Sequence, residues 1–357
     1  MYCSTTPTVP AASIEAWNNG TGTLQWGASD NWNPSGMPDA TMTAQFTDLG
    51  LSSGNIIDLG GDRSVGGLLF DTDTNFTIGG TSGALTIGSA GLVRTADSSN
   101  TQTITRPLNL GPNTVSVAGT GELNLAGGGT SGGAKGGAFT IASGSTLGFT
   151  GGTYNLVGAI FGNSGTINFS LGTLSGTSTV TLTGSFNWTG GTMSGNAATA
   201  IQGSANYLYN DLTLDGRTLT NTGPTTFSPY FSSSFSTITH LYGRNGAIFN
   251  NQMGATVTLQ GPTYFINDDG TAPTINNYGT INVQPQTGCP IDVEFAMNNT
   301  GTLQISGTGT VMSLSGGGTS NGTFFILGTT LGFSGGTHDL SGATFNNSGN
   351  IDFDGAT

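Results

Sequence analysis

Carboxylates are the only plentiful reactive side chains in this chain of 357 residues, which holds 19 Asp and Glu against 6 Lys and Arg and 2 His. Two acids spaced two apart on a strand point to the same side. Asp71/Asp73, Asp292/Glu294 and Asp352/Asp354 therefore each set two carboxylates side by side, the arrangement that acid–base catalysis or a hard cation would use. Asp211 with Asp215 and the adjacent Asp268-Asp269 complete the candidates. The run Asp71-Thr72-Asp73-Thr74-Asn75 opens with the spacing of a calcium loop, but Phe76 stands where such a loop needs glycine and Ser82 where it needs glutamate. Asp71, Asp73 and Asn75 remain the calcium candidates, and no other cofactor is expected. His240 and His338 share no metal-ligand spacing with each other or with Cys3 and Cys289 and read as structural. No triad or phosphate loop can be assembled, so a non-enzymatic role is expected.

Aromatic residues offer a second chemistry. Trp17, Trp26 and Trp32 are three of the four tryptophans and are followed directly by Pro34 and Pro38. They read first as a cover over the end of a larger structure, and secondly as a platform for stacking sugar rings.

Whatever positions these groups is not a conventional globule. Glycine contributes 62 residues, more than twice the usual share of ~7%, and charged residues only 7%. Helix formers are scarce while Gly, Thr, Ser and Asn dominate, so strands and turns are expected. A formal net charge of −13 without a basic cluster excludes nucleic acid and anionic membranes as partners. No stretch approaches 18 apolar residues, so no membrane insertion is expected, and Met1–Ser13 lacks the features of a signal peptide.

Repeats organise the chain. Residues 147–169, LGFTGGTYNLVGAIFGNSGTINF, return at 331–353 as LGFSGGTHDLSGATFNNSGNIDF, with 15 of 23 positions identical. Gly127–Thr130 matches Gly316–Thr319 at an offset larger by five, which places an insertion near Ser131–Lys135 in an outward turn. The duplicated segments span about 119–173 and 307–357. Asp352 and Asp354 correspond to Asn168 and Ser170 of the first copy, an exchange that an outward polar position tolerates. A shorter core, an apolar residue followed by Asn or Thr, Asn, any residue and Gly, recurs from Phe161, Leu219, Ile275, Met297 and Phe345. The intervals indicate units of roughly 22–30 residues, the period of solenoids. Each unit alternates apolar and polar residues over three to five positions, as in Thr302-Leu303-Gln304-Ile305. Strands this short bury a face only by stacking on equivalents one turn away, about 4.8 Å along an axis. Corner asparagines are then expected to form hydrogen-bonded ladders.

Trp26, Asn31-Trp32, Pro38, Phe46, Ile57-Asp58-Leu59 and Val65–Phe70 resemble the opening of bacterial secreted proteins with autotransporter-associated β-strand repeats. The unit LGFSGGTHDLSGATFNNSGNIDF is similar to repeats of large surface proteins of the filamentous-haemagglutinin kind. The resemblance implies a right-handed parallel β-solenoid, secreted or held at the cell surface, with adhesive or scaffolding roles and no inherited active site.

The expected architecture is thus all-β: a Trp-rich N-terminal cap over residues 1–55 and a parallel β-solenoid over 56–357. About 15 rungs would make a rod near 70 Å long with an open C-terminal end. In a straight rod Cys3 and Cys289 lie more than ~50 Å apart, which excludes a bond between them. Cys289 then reads as a small buried residue and Cys3 as available for an intermolecular bond. The expected function is that of an extracellular structural or adhesive rod, with self-association through terminal rungs and with glycans or surfaces as partners. The alternative is a glycan-binding or polysaccharide-degrading β-helix using Asp292, Glu294 or the tryptophans. An ice-binding face would require a regular Thr-x-Thr ladder; Thr181/Thr183 and Thr256/Thr258 supply it only locally.

Overall fold

The computed structural model describes residues 13–95, 99–131, 137–208, 210–228, 231–232, 235–236, 238–284, 290–307 and 309–357. The chain winds as a coil of short strands on three sides. Its first sheet contains fourteen strands, from Asn55–Asp58 to Thr344–Asn347, and every neighbouring pair is parallel. Its first and last strands are thirteen turns apart, so a turn takes about 22 residues, the lower end of the range that the repeats indicate. At ~4.8 Å per turn the stack is roughly 60 Å long. The expected 15 rungs become about 13 turns. One reason is a single long turn, from the strand at Thr225 to the strand at Thr256, which places a whole inserted hairpin on one rung.

In chain order the second sheet follows the first. It runs from the start of Arg63–Phe70 through Thr153–Asn155, Asp211–Asp215 and Pro290–Val293 to Asn350–Phe353. The third sheet returns the chain to the first. It begins at Ser13–Trp17 and Met42–Phe46 and includes Ile160–Asn163, Ala198–Ile201 and Ala296–Asn299. The first sheet has no register shift along its length, whereas strands of the other two are interrupted by bulges at 65/67, 130/131 and 243/244.

Alternation sets which side chains face inward. In Thr280–Val283, Ile281 and Val283 are buried while Thr280 and Asn282 point outward, and the pattern repeats from turn to turn. Each inward Leu, Ile or Phe contributes about 1.5–3 kcal/mol on burial, and stability accumulates between neighbouring turns. Aromatic rings continue the column, with Trp188, Tyr207 and Phe227 meeting edge to face at centroid distances of 5.6 and 4.7 Å.

The anticipated ladders are present on both sides of one corner. Inside, Asn221 Nδ2 donates to Asn251 Oδ1 (3.1 Å), Asn251 to Asn277 (2.8 Å) and Asn277 to Asn299 (2.7 Å), all four being fully buried. The spare proton of Asn251 goes to the Thr280 carbonyl, and that of Asn277 to Thr302, so each amide closes the corner into the next strand. Outside and one residue earlier, Asn298 donates to Asn276 and Asn276 to Asn250, a second ladder running in the opposite direction. An Asn-Asn pair therefore serves both faces of one strand.

Two buried arginines have no counterpart in the sequence-based expectations. Arg217 is 2% exposed and has no carboxylate partner among the described residues. Its guanidinium binds Thr199 Oγ1 and the carbonyls of Gly176, Ser194 and Ala198, clamping neighbouring turns, and burial lowers its pKa. Arg94 is likewise enclosed, donating to Gln102 Oε1 and to the carbonyls of Asn100 and Ala118.

The N-terminal segment covers the coil without being separate from it. Met42–Phe46 already pairs with 67–70, and Gln25 bridges to Asp58. Trp32–Asn33 crosses antiparallel to Ser13–Trp17, which leaves the next copy of the ladder no parallel edge to extend. Trp17, Trp26 and Trp32 gather around Phe46 with centroids 5.6–5.9 Å away. At the other end the inward Phe345 and Phe353 stack on Phe324 and Phe333, but Phe353 stays 60% exposed.

Candidate functional site

The second sheet gathers what the sequence scatters. Pairing of Asp211–Asp215 with Thr239–Arg244 sets Asp211 beside His240, Thr213 beside Tyr242 and Asp215 beside Arg244. The next strand, Thr263–Asp269, places Tyr264 beside His240 and Ile266 beside Tyr242, and Pro290–Val293 then adds Asp292 beside Tyr264. Outward positions on four successive turns thus form one file of Asp211, His240, Tyr264 and Asp292. Three of the five carboxylate pairs singled out in the sequence meet here: Asp211/Asp215, Asp268/Asp269 and Asp292/Glu294.

The groups are fixed by their neighbours. His240 Nδ1 lies 2.7 Å from Asp211 Oδ1, and its ring sits 5.7 Å from Tyr242 and 5.5 Å from Tyr264. Arg244 pairs with Asp268, and Asn245 Nδ2 donates to Asp215. Glu294 accepts a hydrogen bond from the Asn267 amide at 2.9 Å. Asp292 differs, since its Oδ1 is enclosed and has no hydrogen-bond partner among the described residues. Partial burial raises the Tyr242 phenol above its ordinary value, and the negative charges of Asp211 and Asp268 add to this. The Arg244 cation opposes this shift.

Local departures from the regular coil surround this patch. The long turn carries an antiparallel hairpin, Phe231–Ser232 with Phe235–Ser236, immediately before Thr239–Arg244. Thr239–Arg244 and Thr263–Asp269 run six and seven residues, against the usual four, so the sheet widens beneath the patch. Insertions on a solenoid mark the face where its repeats do something other than stack. Chemically, the surface offers carboxylate acceptors, phenol donors and two aromatic rings. Asp211 and Asp292 are three inter-strand steps apart, about 14 Å, wider than the ~5–9.5 Å that glycoside cleavage uses.

The other expected site residues lie elsewhere. Trp17, Trp26 and Trp32 are at most 1% exposed, so they serve as the cover; sugar stacking needs open ring faces, and these three have none. Asp71, Asp73 and Asn75 lie on an exposed loop organised by the Asp48 carboxylate. Asp48 accepts from Thr72 Oγ1 (2.7 Å), the Asp73 amide (2.8 Å) and Thr74 Oγ1 (3.1 Å), and the Thr72 bond is the main reason its pKa is lowered. Asp71 accepts from Thr95 and Asn75 from the Thr101 amide. Among the described residues no group of three His, Cys, Asp or Glu side chains is placed to hold a metal ion. Asp352 and Asp354 fall on the last turn of the second sheet. Cys3, Cys289 and Lys135 lie outside the described residues.

His240, Tyr242 and Tyr264 were missed as site residues. The signal that could have found them is the stretched turn, since their partners stand on neighbouring turns and meet them only through strand pairing. No family model, curated protein or solved structure matches the chain, so what it shows is the architecture itself: a β-solenoid repeat protein.

Proposed function

We propose that the protein is a stiff, non-catalytic rod that works outside the cell or at its surface, in the manner of autotransporter-type and filamentous-haemagglutinin-like repeat proteins. In this reading it adheres to glycans through the second-sheet patch. The observation that carries the reading is the coincidence of the long inserted turn with the outward cluster of Asp211, His240, Tyr242, Tyr264 and Asp292. Tyrosine rings cover the apolar face of a pyranose, while carboxylates accept from its hydroxyls. The local excess of carboxylates favours neutral or amino sugars over uronic acids. The coil spaces and carries this surface, and main-chain pairing gives it stiffness.

Titration calorimetry with neutral, amino-sugar and uronic-acid oligosaccharides tests the reading. Binding of the first or second class should weaken at least tenfold in Tyr264→Ala and Asp292→Asn, with an unchanged melting temperature. Failure of all three classes to bind, or affinity untouched by both substitutions, rejects it.

A further inference from the structure

The outer face of the first sheet carries chemistry of a different kind. From Thr146–Phe149 to Thr344–Asn347, ten consecutive strands present no charged residue, in a chain of net charge −13. Strand pairing aligns Thr146 with Thr166 and Ser185, and Thr256 with Thr280, Thr302, Thr323 and Thr344. A parallel file two residues further on contains Asn168, Asn187, Asn206, Thr226, Thr258 and Asn282. Within it Asn187 donates to Asn168 at 2.9 Å and Asn206 to Asn187 at 3.0 Å, which holds the amides in one orientation. No register shift breaks this sheet.

We infer that this face is where two copies of the chain pair side by side. Thr, Ser and Asn each carry a donor and an acceptor, so a face built of them is complementary to itself; a carboxylate face is not. That is what a two-fold symmetric contact requires, because each file must satisfy its own copy. Threonine methyl groups supply apolar area, and facing sheets with Asn and Thr files interdigitate about 10 Å apart. Nine steps of ~4.8 Å by four residues of ~3.3 Å give roughly 600 Å² in projection, before side-chain relief is counted. Specific interfaces use about 600–1,000 Å² per partner. Charge narrows the choice of face, since the outward charges of the middle turns lie on the second sheet, where like-charged copies would repel. A second copy also suits the face better than a glycan does, because Phe325 is the single outward aromatic on the ten strands.

Sedimentation equilibrium of the full chain tests the inference. The wild type should approach twice 35.9 kDa in the micromolar range, and more completely as salt rises, because screening relieves the repulsion between acidic rods. Thr258→Lys with Asn282→Lys should leave a folded monomer, while Thr192→Lys on the second sheet should still dimerise. In a Cys3→Ser/Cys289→Ser background, Thr226→Cys should cross-link between copies through a short bis-maleimide, since Thr226 lies near the middle of the ten strands. A wild type that stays monomeric overturns the inference, whether or not glycan or ice binds the face. So does a dimer that survives the double lysine variant and gives no cross-link at residue 226.

Discussion

Segments 147–169 and 331–353 build the same shape on different sides of the rod. Leu147 lies in Thr146–Phe149 of the first sheet, whereas its counterpart Leu331 lies in Thr330–Phe333 of the second. Thr153–Asn155 is on the second sheet and His338–Asp339 on the third; Ile160–Asn163 is on the third and Thr344–Asn347 on the first. The second copy therefore follows the first by eight whole turns plus one side. Yet the local geometry coincides. Gly152 and Gly336 have φ of +68° and +69°, and Tyr154 and His338 stand edge-on to Phe149 and Phe333 at 5.2 and 4.9 Å. Phe161 and Phe345 stack flat on the preceding turn at 4.5 and 4.8 Å. The comparison teaches that a repeat specifies its strand and its corner, and that the number of residues before it decides which sheet it joins. What separates the copies is burial, because the first has turns on both sides and the second belongs to the end of the stack.

Substitutions at paired positions should separate shape from burial, and the corner glycines carry the largest effect. A Cβ at Gly152 would stand 2.2 Å from the Gly128 amide nitrogen, and one at Gly336 2.5 Å from that of Gly317. Left-handed backbone alone costs an L-residue about 1–2 kcal/mol. Both corners are exposed and both carbonyls accept from the next turn, Gly152 from Thr173 and Gly336 from Thr357. Chemical denaturation should show Gly152→Ala losing about 3 kcal/mol or more, because its tighter clash is with backbone that several further turns on either side keep from shifting. Gly336→Ala should lose about 1–2 kcal/mol. Equal losses would mean that position in the stack plays no part.

Asn163 and Asn347 come next. Asn163 is 3% exposed and its Oδ1 accepts from the Thr183 amide at 2.8 Å, while Asn347 is exposed. Loss of a buried acceptor leaves its donor stranded, at about 1–3 kcal/mol. Asn163→Ala should fall in that range in the same experiment and Asn347→Ala within ~0.5 kcal/mol of wild type.

Exchanging the one aromatic mismatch gives a smaller contrast. Tyr154→His places an imidazole in a site 2% exposed and should lower the melting temperature, increasingly so as pH falls below the usual histidine range of about 6.5. His338→Tyr, in a half-exposed site, should leave it nearly unchanged.

The smallest effect concerns Tyr207, which lies between the two copies. Its hydroxyl is buried without a hydrogen-bond partner among the described residues, and burial pushes the phenol well above the ordinary value of 10. A raised folded-state pKa contributes stability in full below pH 10 and loses it as pH climbs beyond, when the unfolded chain releases the proton first. Tyr207→Phe should therefore be neutral or stabilising by up to ~1 kcal/mol at pH 7. It should also flatten the alkaline decline seen in thermal melts.

Much of this architecture is legible in the chain. Alternation such as Thr280-Ile281-Asn282-Val283 separates inside from outside, the Asn-Asn pairs announce ladders, and three tryptophans mark a cover. The displacement of the second copy by one side is not legible, because it depends on summing turns of unequal length. For the same reason the file of Asp211, His240, Tyr264 and Asp292 cannot be read from linear spacing, nor can the uncharged file of the first sheet. Arg94 and Arg217 mislead in another way. Their charge suggests a surface, but carbonyls of adjacent turns satisfy them inside.

Distances between spin labels along the first sheet probe the winding itself. Labels at Asn168 paired with Asn282 or Asn346, and at Asn124 paired with Asn346, span five, eight and ten turns. Electron–electron resonance should return about 24, 38 and 48 Å, a constant ~4.8 Å for each turn crossed. Distances that level off, or that depart from a constant rise per turn, would contradict a coil built of stacked parallel turns.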